Sequence, residues 1–199
     1  NVKSRAVVMG GSAGGLSALS KILSHLPKGF PCPVMVVLHL DPSGGHQLPK
    51  LLANHCGLVV KEAEDTEEIC PGRVYIAPAG YHLLVERDYT LSLSVDEPVN
   101  FPRPAIDVLF QSAAEAYGPS LVGVIMTGAS RDGSMGLRSV KEFGGTAIVQ
   151  DPSVAQAPLM PAAAIKATKV DHILDLAHIG LFLTKLEISE KNDATHDRN

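Results

Sequence analysis

The sequence predicts an α/β protein: a doubly wound, mostly parallel sheet with helices on both faces and a small antiparallel meander near residues 73–95. Three observations predict it. Near-continuous apolar runs at Ala6–Met9, Pro33–Leu38 and Leu121–Met126 have the pattern of strands buried on both faces. Segments with helical apolar spacing separate the runs, as in strand–helix–strand units. The first run ends in Gly10-Gly11-Ser12-Ala13-Gly14-Gly15 and leads straight into an amphipathic segment, which reads as strand, tight turn and helix.

Each element follows from its local pattern. After the first strand, Leu16, Leu19, Ile22, Leu23 and Leu26 recur at helical spacing until Pro27 stops them. Pro33–Leu38 is the second strand, Pro42–Gly45 a loop, Leu48–Ala53 a short helix and Leu58–Lys61 a short strand. Arg73–Ala77, His82–Glu86 and Thr90–Val95 read as three short strands turning at Ala79-Gly80 and Arg87-Asp88, which places the meander at one edge. Three prolines make 97–104 a loop. A helix over Ala105–Tyr117 points Ile106, Leu109, Phe110 and Ala113 inward, and the strand Leu121–Met126 leads into the polar loop Thr127–Gly133. Ser134–Phe143 is helical and stops at Gly144-Gly145. Thr146–Val149 is a strand, Pro161–Ala167 a helix, Val170–Leu174 a last strand and Leu176–Ile188 a closing helix.

The 199 residues, 45% hydrophobic and 19% charged, suffice for one core. The expectation is a single domain over 1–190 and a disordered polar tail over 191–199. A net charge of −4 argues against a nucleic-acid partner, which calls for a basic face. No apolar stretch approaches a membrane span, so no membrane insertion is expected. Cys32, Cys56 and Cys70 are odd in number and widely spaced, which fits neither a CxxC site nor a complete disulfide framework. They read as reduced thiols of a cytoplasmic protein.

Gly10-Gly11-Ser12-Ala13-Gly14 fits G-x-S-x-G, a turn that lifts a serine hydroxyl out of the backbone at the end of a sheet. The competing dinucleotide fingerprint G-x-G-x-x-G needs its middle glycine where Ser12 stands, so a nucleotide- or phosphate-binding turn fits less well. Open parallel sheets carry their sites beyond the carboxyl ends of the strands. Three reactive side chains follow doubly buried strands: Ser12, His39 and Asp132. A serine needs a base, which histidine can supply, and a carboxylate holds the imidazole tautomer. Each also has a plainer reading: Ser12 as a helix N-cap, His39 as a histidine satisfied at a strand end, Asp132 as a turn residue before Gly133. Asp41 and Asp151 are the alternative acids, and the other seven histidines, His46 and His55 among them, are weaker candidates for the base.

Several motifs, in order, carry a resemblance. They are Gly10–Gly15, Leu38-His39-Leu40, Val60–Asp65, Pro71–Pro78, Arg103-Pro104-Ala105-Ile106-Asp107-Val108-Leu109-Phe110, Gly123–Gly128 with Asp132-Gly133, and Met160-Pro161 followed by Ala163-Ala164-Ile165. Together they resemble the catalytic domain of the chemotaxis protein-glutamate methylesterase (CheB) family over roughly residues 5 to 185. The resemblance implies a serine esterase that hydrolyses glutamate γ-methyl esters on the cytoplasmic helices of chemoreceptors, releases methanol, and can deamidate certain glutamines there. It implies Ser12, His39 and Asp132 as the catalytic triad, backbone N–H groups of Ala13 and Ala129 as the oxyanion site, and no metal or cofactor. Methylated chemoreceptor cytoplasmic domains are the implied partners. Many family members carry an N-terminal receiver domain whose phosphorylation relieves inhibition, so a receiver domain in cis or in trans is a further expected partner. Two departures stand out: Ala13 replaces an expected threonine, and Ala129-Ser130-Arg131 replaces an expected Met-Gly-Asn. Arg131 and Arg103 are expected to bind substrate, with a salt bridge from Arg103 to Asp107 the alternative. The other class of function to weigh is a non-catalytic domain that keeps the fold and binds signalling proteins; the intact Ser12, His39 and Asp132 count against it.

Overall fold

The computed structural model describes residues 5–39, 48–97 and 103–196, with side chains described as far as 186. In chain order the elements are β1 (Ala6–Gly11), α1 (Gly15–Leu23), β2 (Val34–Leu38), α2 (Leu48–Ala53), β3 (Val59–Glu62), β4 (Arg73–Ile76), β5 (His82–Val85), β6 (Leu91–Ser94), α3 (Ile106–Tyr117), β7 (Leu121–Ile125), α4 (Ser134–Glu142), β8 (Thr146–Gln150), α5 (Leu159–Ala167), β9 (His172–Leu174) and α6 (Leu176–His196).

Seven strands form one sheet in the order β3-β4-β2-β1-β7-β8-β9, and every pairing in it is parallel. β1, β2 and β7 are buried along their whole length, which is why they read as unbroken apolar runs. Side chains alternate between two cores. Ala6 and Val8 join Ile106, Phe110, Leu137 and Met160 on the α3–α4–α5 face. Val7 and Met9 join Leu19, Leu23, Leu52 and Leu183 on the α1–α2–α6 face. The chain steps from β1 to β2 on one side and returns to β7 on the other. The strand order therefore reverses at β1, and the carboxyl ends of β1, β2 and β7 lie side by side there, the usual place for a site in such a sheet.

Three expectations are corrected. The antiparallel part contains only β5 and β6. Arg73–Ile76, expected to pair with them, instead runs parallel between β2 and β3, because Val74, Tyr75 and Ile76 are all buried and need cover on both faces. α1 ends at Leu23, ahead of Pro27, although Leu26 remains in the core. The closing helix α6 continues past Ile188 to His196. Its extension, with Glu187, Glu190, Lys191 and Ala194, has good helix formers and no glycine or proline to stop it. The loop Pro42–Gly45 and part of the proline-rich 97–104 loop lie outside the described residues.

Candidate active site

Ser12 follows β1 and is only 9% exposed. Its N–H donates to Thr127 O at 3.0 Å, and its carbonyl accepts from Gly15 N at 2.7 Å. The N-cap of α1 is Gly14, in left-handed conformation (φ 77°), with no side-chain cap. That conformation is strained for any residue with a Cβ, and it leaves the Ser12 hydroxyl out of helix capping. Ser12 Oγ instead accepts a hydrogen bond from the Ala129 N–H at 2.9 Å.

The loop after β7 is braced against this turn. The one Thr127 hydroxyl proton is shared between Ala13 O at 3.0 Å and Ala157 O at 3.3 Å, and Oγ1 accepts from Ala157 N at 2.8 Å. Thr127 N donates to Oε1 of the buried Gln150 at 2.8 Å. A Cβ at Gly128 would lie 2.6 Å from Met160 Cε and 2.8 Å from Ser12 Oγ, so a side chain there would displace the Met160 end and the Ser12 hydroxyl. This close approach lets the Ala129 N–H reach Ser12 Oγ.

Asp132 is fully buried, 0% exposed. Its Oδ2 accepts from Ile106 N at 2.6 Å and its Oδ1 from Asp107 N at 2.9 Å. Both donors belong to the first turn of α3, where orphan N–H groups and the positive end of the helix dipole favour an anion. His39 follows β2, its N–H bonded to Gly11 O at 3.0 Å. Its side chain is 13% exposed, and Nε2 approaches Asp132 Oδ2 to 2.9 Å. The two atoms are close, but the ring N–H is not aligned on the carboxylate oxygen as in a hydrogen bond. The hydrogen bonds formed by Ser12 and His39 do not join the two to each other. Both line one cavity of about 810 Å³ that runs along α1 past Ser17 and Lys21 toward Leu51 and His55 of α2 and its exit. Among the described residues lining it, none is acidic.

The two arginines fall elsewhere. Arg103 donates to the carbonyls of Val95 and Asp96, so the expected partner Asp107 is not its partner. Asp107 Oδ1 instead accepts from Gly136 N at 2.6 Å. Arg131 lines a separate cavity of about 460 Å³ with Asp107, Met135, Leu159 and Lys166. Of the alternative acids, Asp41 lies outside the described residues, as does His46, and Asp151 forms its own turn by accepting from Ser153 N at 2.8 Å. Sequence reasoning missed Gln150 and the supporting roles of Thr127 and Asp107. Gln150 carried a usable signal, a polar residue closing the apolar run Ala147-Ile148-Val149.

A group of this kind can do acyl-transfer chemistry: a hydroxyl in a cavity, an imidazole oriented by a buried carboxylate, and a backbone donor already at the hydroxyl. Among the described residues, no cluster of His, Cys, Asp and Glu could hold a metal ion, and no helix is long and apolar enough to cross a membrane.

Comparison with known proteins gives concordant matches. A family model described as CheB methylesterase matches residues 7–183. A relative from Leptospira interrogans is 48% identical over 182 residues, covering 92% of this chain and 94% of that protein. The protein-glutamate methylesterase/protein-glutamine glutaminase of Thermotoga maritima is 39% identical over 176 residues, covering 87% of this chain and 51% of that protein. The protein-glutamate methylesterase FrzG of Myxococcus xanthus is 37% identical, covering 89% and 53%. The chain thus spans nearly all of the first relative and about half the length of the other two. The crystal structure of the Thermotoga maritima CheB methylesterase catalytic domain superposes with a TM-score of 0.88 at 38% identity, covering 93% of this chain and all of that one.

Proposed function

The chain belongs to the CheB methylesterase family, and from that premise we propose that it is a serine esterase acting on glutamate γ-methyl esters of chemoreceptor cytoplasmic helices. It releases methanol, works in the cytoplasm, and deamidates glutamine side chains presented in the same way. A receiver domain, in cis or in trans, is its expected regulator. The observation that carries the reading is the 2.9 Å approach of His39 Nε2 to buried Asp132 beside the cavity that also holds Ser12.

In this reading Ser12 Oγ bonds to the ester carbonyl carbon as His39 takes its proton. With Nε2 turned to Asp132, Nδ1 is the ring nitrogen left for that proton. Asp132 orients the ring and stabilises the imidazolium. The carbonyl oxygen becomes an oxyanion and takes the N–H groups of Ala13 and Ala129, near the positive end of α1. The intermediate collapses, the C–OCH3 bond breaks, and methanol leaves with the proton from His39. His39 then takes one proton from water as the water oxygen attacks the acyl-enzyme, and returns it to Ser12 Oγ as the glutamic acid side chain departs and gives its remaining proton to solvent. With glutamine the leaving group is ammonia and the second half is unchanged.

The test is methanol release from methylated receptor cytoplasmic fragments. The wild type releases methanol, and Ser12→Ala stops it. Equal release by the two proteins would remove Ser12 from the chemistry; no release by folded wild type on a competent fragment would remove this substrate.

A further inference from the structure

Two helices cap each other across the site. Asp132 stands just before α4, yet its carboxylate serves the N-terminus of α3 through Ile106 N and Asp107 N. Asp107 stands in the first turn of α3, yet its carboxylate serves the N-terminus of α4 through Gly136 N. Neither helix has a cap of its own: the N-cap residues Ala105 and Gly133 make no side-chain cap hydrogen bond. The helices also touch at that point, since a Cβ on Gly136 would lie 2.6 Å from Phe110 Cβ and 3.0 Å from Asp107 Cα. The hydrogen bonds close a loop from Asp132 through α3 and Asp107 to α4 and back along the chain to Asp132.

We propose that Asp107 is a positioning residue for the reaction: by tying α4 to the first turn of α3 it holds the Asp132 carboxylate at the angle that orients His39. The inference rests on the acyl-transfer reading of Ser12, His39 and Asp132. A helix cap alone would need only one of these aspartates at its own helix. The exchange instead links the acid to both helices, so that a shift of α4 moves the oxygen facing His39. The chemistry of Asp107 fits a strained role. Burial raises its carboxyl to about 6, the Gly136 N–H opposes that rise, and the Asp132 charge adds to it. The ionisable groups facing this corner are Asp132 on the loop before α4, Arg131 and Lys166 on the wall of the cavity that Asp107 also lines, and His82 of β5, which burial holds below its usual range and whose Nδ1 accepts from Ala105 N at 3.1 Å.

The test compares wild type, Asp107→Asn, Asp107→Ser and Asp107→Ala by two readouts. One is the low-field imidazole N–H proton resonance of His39, assigned by its loss in His39→Gln. It reports the His39–Asp132 geometry whatever ester is cleaved, so it fails separately from the proposed substrate. The other is kcat against KM for methyl-ester hydrolysis at a temperature where each variant is folded. Asp107→Asn keeps an acceptor for Gly136 N and should retain the resonance and kcat within about threefold. Asp107→Ala should shift or lose the resonance and lower kcat by roughly ten- to a hundredfold, the scale of a small misplacement of catalytic groups, with KM within about twofold. Asp107→Ser should fall between and replaces the alanine variant if that one does not fold. A folded alanine or serine variant with the wild-type resonance and kcat would overturn the proposal. So would a change in KM alone, which would make Asp107 a substrate contact.

Discussion

The turn after β1 and the loop after β7 each deliver one side chain to the crevice, and they hold it in opposite ways. Ser12 faces an open cavity of about 810 Å³, and its hydroxyl accepts from the Ala129 N–H. Asp132 is fully buried, with both oxygens taken by N–H groups of α3 and one of them facing His39. A group that must form and break a covalent bond needs access and freedom to move. A group that only orients another needs a single immobile position. Burying its charge costs stability unless hydrogen bonds compensate, and the start of α3 supplies them.

The comparison can be broken at either end. Ser12→Ala should lower kcat by on the order of a million-fold and leave the free energy of unfolding within about 0.5 kcal/mol, read by methanol release and denaturant titration. Asp132→Asn should cost roughly ten thousand-fold in kcat and also destabilise the fold by about 1–3 kcal/mol, since two helix donors lose a charged acceptor. A stability loss at Ser12 and none at Asp132 would reverse the contrast. Thr127→Val tests the brace between the two loops. It removes the bonds to Ala13 O and Ala157 O and strands the Ala157 N–H, so a loss of about 1–3 kcal/mol with roughly tenfold lower kcat is expected.

A smaller effect should appear in pH. The Asp107 carboxyl is raised from 3.8 to about 6, chiefly by burial. The folded protein therefore keeps that proton where the unfolded chain has lost it. Relative to Asp107→Asn, wild type should lose stability as pH rises from about 4 to about 6 and stay level above. Allowing for the group's partial exposure, the change is on the order of 2 kcal/mol. Denaturant unfolding of both proteins across that window checks it, and a difference that grows in favour of wild type would contradict it. Smallest of all, Arg131→Ala should leave kcat/KM within about threefold, because Arg131 lines the separate cavity. A larger loss in steady-state kinetics would return Arg131 to substrate binding.

The same contrast explains what could be read from the sequence. The Ser12 turn is local: glycines, a serine and the following helix stand in one run of residues. The doubly buried strands were legible for the same reason, and they bring the ends of β1, β2 and β7 together. The support of Asp132 was not legible. Its donors Ile106 and Asp107 use backbone N–H groups, which no side-chain pattern marks, and they lie far away in the chain. Arg73–Ile76 was misplaced because a run of four residues is too short to show from its pattern that both faces are buried. The Arg103–Asp107 pairing failed because backbone groups take both side chains: the carbonyls of Val95 and Asp96 accept from Arg103, and the Gly136 N–H donates to Asp107.

If the proposed chemistry holds, Ser12 alone among the serines of this cavity is an activated nucleophile. The direct measurement is labelling with a fluorophosphonate, followed by mass spectrometry of the peptides. One adduct per chain is expected, on Ser12, formed much more slowly in His39→Gln and Asp132→Asn. No adduct on folded protein, or adducts spread over Ser17, Ser20 and Ser24, would contradict it.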